Sequence, residues 1–164
     1  MLQALPTPIT YQGLKVLISG SGNVAQYAAL KVLELGGTVL TLSDSKGAIV
    51  AKDGKGFTGE DIATIANLKL AHGSLTDFVQ SGNVAERFEY HDGKRPWTLV
   101  AQADIALPSA TQNEVSEEEA KALVKAGVKI VAEGSNMVCQ VCTYTSINSL
   151  ILYLGLNSRG YRCL

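Results

Sequence analysis

The stretch KVLISGSGNVAQYAALKVLELGGTVLTLSDSK, Lys15–Lys46, decides the fold. It opens on KVLIS at 15–19, a continuous apolar run of strand length, the pattern of a strand buried on both faces in a parallel sheet. Gly20-Ser21-Gly22 breaks the run. From Asn23 to Leu35 apolar residues return at helical spacing, with Val24, Ala28, Val32 and Leu35 three or four apart. Gly36-Gly37 ends that helix, and TVLTL at 38–42 reads as a second strand. This is a β-α-β unit of ordinary size, whose crossover is expected to be right-handed.

Between strand and helix lies Gly20-Ser21-Gly22-Asn23-Val24-Ala25, a G-x-G-x-x-A. Alone the string is weak evidence. A buried strand before it, a helix opening on it and a second strand afterwards supply the context of a dinucleotide fingerprint. Each position has a physical task. Gly20 permits a tight turn, Gly22 lets a pyrophosphate approach the backbone, and Ala25 is small enough for close helix–strand packing. Free N–H groups and the helix dipole would then face the negative charge. The plainer alternative is a glycine turn that binds nothing.

Asp44 ends the second strand about 20 residues beyond the glycines, where a ribose-binding acid belongs. A carboxylate there accepts hydrogen bonds from the ribose of NAD and repels the extra phosphate of NADP. Yet Ser43, Ser45 and Lys46 surround it, and hydroxyls and an ammonium suit a phosphate. Local chemistry leaves NAD against NADP open. A turn that satisfies its own backbone is the other reading of Ser43-Asp44-Ser45.

Residues 43–56 are polar and glycine-rich and read as loop or hairpin. Thr58 with Asp61 starts a helix running to Lys69, and Ser74 with Asp77 starts a short one. Phe88–Tyr90 is a short strand, and DIAL at 104–107 is a strand closed by Pro108. Trp97 is expected to pack the loop before it. Ser116 with Glu119 opens a helix to about Ala126, ended by Gly127, and Val128–Ala132 is a further strand. Strand and helix thus alternate to about residue 136. The fold class expected is α/β: a Rossmann-like, doubly wound, mostly parallel sheet with helices on both faces. Ligands of such sheets bind at the carboxyl ends of the strands. That places Pro108–Asn113 and Glu133–Asn136 at the site, with Thr111, Asn113 and Asn136 able to hold a nicotinamide amide and its ribose. Capping of loops and helix starts is their commoner use.

Composition sets limits on the alternatives. The 164 residues carry 14 basic and 15 acidic side chains, a formal net charge of −1, with no basic run. That gives no electrostatic footprint for nucleic acid or an anionic membrane. Leu150–Leu156 is far shorter than the ~20 apolar residues a membrane helix needs. The opening MLQALPTPITYQG lacks a charged leader followed by an apolar core, and three cysteines do not make a disulfide framework, so a reducing cytoplasmic setting is expected. Cys139-Gln-Val-Cys142 has the spacing of a redox pair or half a zinc site, but only Cys163 and the distant His72 and His91 remain as further ligands. No G-x-S-x-G elbow of a serine hydrolase occurs.

Two strings, residues 15–47 and DIALPSATQNEVSEEEAKALVKAGVKIVAEGSNM at 104–137, closely resemble fungal NADP-specific glutamate dehydrogenases. The likeness runs from about Gly13 to Met137 and rests most on the glycine turn combined with ATQNE and AEGSNM. It implies interconversion of glutamate with 2-oxoglutarate and ammonium, with NADP as hydride carrier in preference to NAD. It implies that, beside the turn residue Gly20 of the cofactor site, Ser21, Gly22, Asn23 and Val24 line the pyrophosphate, and that Ser43 and Asp44 sit by the adenosine ribose. It further implies that Lys69 lies near the 2′-phosphate and that Ala110, Thr111, Asn113 and Asn136 face the nicotinamide ribose. On this reading residues 1–12 are an extension, 13–137 the cofactor domain and 138–164 an atypical tail. The family's substrate domain, with its catalytic lysine and aspartate, has no counterpart, and Ser109 stands where many members have cysteine. The chain reads as a truncated or misjoined product, inactive alone, with oligomeric state left open. A non-catalytic nucleotide-binding module or regulator, or part of another amino-acid dehydrogenase, is the competing expectation.

Overall fold

The computed structural model describes residues 10–52, 54–81, 84–134 and 152–154. The decisive stretch forms β1 (Lys15–Ile18), α1 (Asn23–Glu34) and β2 (Thr38–Ser43). The glycine-rich segment after it is a hairpin: β3 (Gly47–Ala51) turns back antiparallel on β2. Then follow α2 (Gly59–Leu70), α3 (Leu75–Gln80) and β4 (Phe88–Asp92), which pairs antiparallel with β3. A 3-10 turn at Pro96–Thr98 leads to β5 (Ile105–Leu107), α4 (Glu117–Lys125) and β6 (Ile130–Ala132). Three residues of the unpatterned tail join the sheet as β7 (Leu152–Leu154), parallel to β6.

The seven strands lie in the order β4-β3-β2-β1-β5-β6-β7. Every pair from β2 to β7 is parallel. The sheet is therefore mixed, with a parallel body and an antiparallel margin made by β3 and β4. Helices cover both faces, as expected. Val16 and Ile18 point into a core with Ala25, Ala29 and Val32 of α1, Ile62 and Ile65 of α2, and Phe78 of α3. Leu17, between them, points into a second core with Trp97 and with Ala120 and Leu123 of α4. Both faces of β1 being buried is what its unbroken apolar run required.

One local feature departs from the sequence reading and a second lies beyond its reach. The buried stripe of α1 is Ala25, Ala29 and Val32, whereas Val24 and Leu35 are 51% and 43% exposed. Alanines at the contact let the helix lie close on the strands, and the bulkier Val24 is turned toward the cleft. The second feature is a register slip. Val16 pairs with Val39 but Leu17 pairs with Thr41, so β2 holds one residue more than β1. The Thr41 hydroxyl lies 3.1 Å from both the N–H and the carbonyl oxygen of Ile18, accepting from one and donating to the other. A side chain thus substitutes for the interrupted ladder. No helix among the described residues is long and apolar enough to cross a membrane.

Candidate functional site

The carboxyl ends of β1, β5 and β6 bring three loops together where the strand order switches direction between β1 and β5. Gly20 has φ +84, and a Cβ there would lie 2.9 Å from the Ser109 carbonyl oxygen and 3.2 Å from the Ala110 Cβ. Only glycine fits, for conformation and for space. The Gly134 N–H donates to the Pro108 carbonyl at 2.8 Å, and a Cβ on Gly134 would come within 3.2 Å of a Val24 methyl. The backbone of Ser109–Ala110, the Val24 side chain and Gly134 therefore form one wall.

Gly22 differs from Gly20. Its φ of −80 suits any residue, and a Cβ built on it meets nothing within 4 Å. No demand of the protein's own packing calls for glycine there. Gly22 caps α1 with no side-chain hydrogen bond, and the first helical bond is Gln26 N–H to Gly22 carbonyl at 2.9 Å. The N–H groups of Asn23, Val24 and Ala25 are thus the unpartnered donors of a helix start. Gln26 also donates through its side chain to the Ser21 carbonyl at 2.8 Å, holding the turn from behind. A groove of about 250 Å³ leads away from this point, lined by Gly22, Asn23, Gln26, Ala66, Lys69 and Leu70.

Ser43 and Asp44 are engaged by the protein itself. The Gly20 N–H donates to the Ser43 hydroxyl at 2.8 Å, and the Ser43 N–H donates to the Gly20 carbonyl at 3.1 Å. Ser43 therefore braces the glycine turn. Asp44 accepts from the N–H groups of Lys46 at 2.8 Å, Gly47 at 3.2 Å and Leu75 at 3.2 Å, and the Lys69 ammonium lies 3.5 Å away. Burial alone would raise this carboxyl. The N–H of Lys46, the N–H of Leu75, the Lys69 charge and the Gly47 N–H together outweigh it and hold Asp44 below the usual range. Lys69 links this cluster to the groove beside Gly22.

On the opposite wall, Ala110, Thr111 and Asn113 lie in one turn after β5, with Asn113 at φ +52. Ala110 and Thr111 are exposed beside the buried Ser109. The organising residue there, Glu114, was missed by sequence reasoning. It is buried, and its Oε2 accepts from the N–H of Ala110 at 3.3 Å and of Thr111 at 3.4 Å. An acid three residues after a polar turn residue was the only available sign. Asn136 lies outside the described residues, as do Ser135 and the three cysteines. Among the described residues no group of His, Cys, Asp or Glu is arranged to hold a metal ion.

A family model described as Glutamate/Leucine/Phenylalanine/Valine dehydrogenase matches residues 1–147. The chain is 62% identical over 130 residues to the NADP-specific glutamate dehydrogenase of Fusarium fujikuroi, covering 79% of this chain and 28% of that protein. Its identity to the NADP-specific glutamate dehydrogenase of Agaricus bisporus is 62% over 124 residues, covering 76% and 26%. A solved structure of Plasmodium falciparum glutamate dehydrogenase superposes with a TM-score of 0.82 at 35% identity, covering 90% of this chain and 30% of that one. The chain thus spans between a quarter and a third of the length of these relatives. The family match extends over most of the sequence and the fold agrees with it: this chain belongs to the glutamate/leucine/phenylalanine/valine dehydrogenase family.

Proposed function

We propose that the chain is the NADP-binding part of a glutamate dehydrogenase, with the dinucleotide domain spanning residues 13–137. The observation that carries the reading is Gly22: a helix start stripped of side-chain cap and Cβ, with open space where a Cβ would stand. Bare amides at the positive end of α1 are suited to a pyrophosphate. Lys69 in the adjoining groove is suited to a further phosphate on the adenosine ribose. Its partner Asp44 supports NADP over NAD. With three N–H donors and an ammonium already on it, this carboxylate offers a ribose little and repels a phosphate little. The relatives' specificity for NADP agrees.

The nicotinamide supplies the hydride chemistry when bound; the protein binds, orients and excludes water. Ser21–Ala25 would fix the diphosphate. Ala110, Thr111 and Asn113, across the switch point, would direct one face of the nicotinamide ribose outward, toward a substrate held by other residues of a complete enzyme. In that enzyme the reaction would be reductive amination of 2-oxoglutarate with ammonium, and its reverse. By resemblance the lysine and aspartate of that chemistry belong to a substrate domain that these 164 residues do not match. The purified chain is therefore expected to bind NADPH, read as a change in its fluorescence, and to give no turnover with 2-oxoglutarate and ammonium. Failure to bind NADPH overturns the reading; robust turnover overturns its second half.

A further inference from the structure

We propose that Glu114 is the positioning residue of the loop after β5, shaping Ala110–Asn113 into the surface that receives the nicotinamide half of the cofactor. This deepens the function proposed above and rests on it. The argument starts from burial. A carboxylate is costly to remove from water without partners, yet Glu114 is only 5% exposed. Its oxygens are used within the loop and by the neighbouring strand end. Oε2 takes the N–H groups of Ala110 and Thr111, and a side-chain hydrogen bond joins the carboxylate to Ser19 at the end of β1. Ser19 in turn accepts from the Ser109 N–H at 3.0 Å. The Glu114 main chain is fixed as firmly, since its carbonyl accepts from Arg95 Nη1 at 2.8 Å and from Trp97 Nε1 at 3.2 Å.

One side chain therefore closes the turn that carries Ala110, Thr111 and Asn113. It takes the first two amide donors of the turn onto a buried carboxylate, which fixes the backbone that presents the exposed Thr111 and Asn113. The same contacts tie this turn to Ser19, directly before the glycine turn. Glu114 fixes the spacing between the two walls of the cleft without reaching a ligand itself.

The test uses the 164-residue chain and two probes, NADPH and 2′,5′-ADP, the latter carrying only the adenosine half. Glu114→Ala is expected to weaken NADPH about tenfold and to leave 2′,5′-ADP within about twofold. Glu114→Gln, whose amide oxygen can accept both N–H groups, is expected to restore most of the NADPH affinity. Ser19→Ala, which removes one partner and keeps the carboxylate, is expected to show the same split at about threefold. It serves as the second variant if melting curves, read from the single Trp97, show Glu114→Ala unfolded. Equal weakening of both probes, or of neither, overturns the proposal. A wild-type chain that binds neither probe removes the NADP reading itself, a result distinct from a variant that fails to discriminate.

Discussion

The starts of α1 and α4 lie at the ends of neighbouring strands, β1 and β5, and are built in opposite ways. Ser116 caps α4 in a reciprocal box with Glu119, and Glu117, Glu118 and Glu119 fill its first turn. α2 and α3 have the same box, from Thr58 with Asp61 and Ser74 with Asp77. α1 has glycine as its cap, no box and no acid in its first turn. A side-chain cap contributes roughly 1 kcal/mol, and first-turn acids add a little more through the dipole. Three helices take that stabilisation and one forgoes it. The one that forgoes it starts at the switch point of the sheet. Local stability and ligand binding compete for the same amides, and the bare start of α1 is where the proposed function puts the nucleotide.

The largest effect expected from converting one kind of start into the other is on binding. In Gly22→Asp the new side chain has room, can cap α1, and places a negative charge at the proposed diphosphate site. NADPH affinity is expected to fall about 100-fold, two factors of ten at ~1.4 kcal/mol each, while the melting temperature holds or rises. Unchanged affinity by fluorescence titration would break the link between the bare start and the nucleotide. Next in size, Lys69→Ala is expected to lower NADPH affinity about tenfold and NADH affinity far less. Equal losses for the two would detach Lys69 from cofactor choice. Ser116→Ala sharpens the contrast from the other side. It should cost about 1 kcal/mol in denaturant unfolding and leave NADPH binding alone.

The smallest effect is electrostatic and has two signs. Asp44 and Asp61 are held below the usual carboxylate range: burial raises each, but the N–H groups about Asp44 and the Arg87 side chain on Asp61 outweigh it. Their stabilisation is complete above the unfolded value, about 3.9, and is lost as pH falls through the lower folded values. Glu114 goes the other way. Burial raises its carboxyl despite Ser19, the two amides and Arg95. Its folded form holds the proton at pH values where the unfolded chain has released it, so its penalty on folding is present at neutral pH and is relieved as pH falls through the folded value. Melting curves from pH 7 to pH 3 should show a slight gain before the acid loss, and Glu114→Gln should remove only the gain. Persistence of the gain in that variant would assign it to another group.

Sequence periodicity made the β1-α1-β2 unit legible because local signals agreed there: a buried run, a turn only glycine can make, and a helix of the right length. The capping boxes were legible for the same reason, since their partners lie three residues apart. What stayed hidden depends on distant contacts. Residues 43–56 read as loop or hairpin, and the hairpin is what forms, but the pairing of β3 with the distant β4 has no local sign. That Asp44 also accepts from the Leu75 N–H, 31 residues away, has no local sign. Glu114 reads as an acid near a helix until Ser19 and the turn close round it. In α1 the apolar spacing finds the buried Val32, but it does not show that Ala25 and Ala29, rather than Val24, complete the contact with the sheet.

The slip between β1 and β2 has a consequence for how the chain tolerates change. With the extra residue in place, Val39 and Leu42 share one core while Leu40 enters the other. Deleting a residue between Val39 and Leu42 to straighten the pairing would swing everything beyond it by half a turn. Ser43 would then leave the Gly20 amide, and the hinge of the β1 loop would lose its stay. Length carries information at this point: a chain one residue shorter here would present a different face of β2 to the β1 loop, however alike its letters.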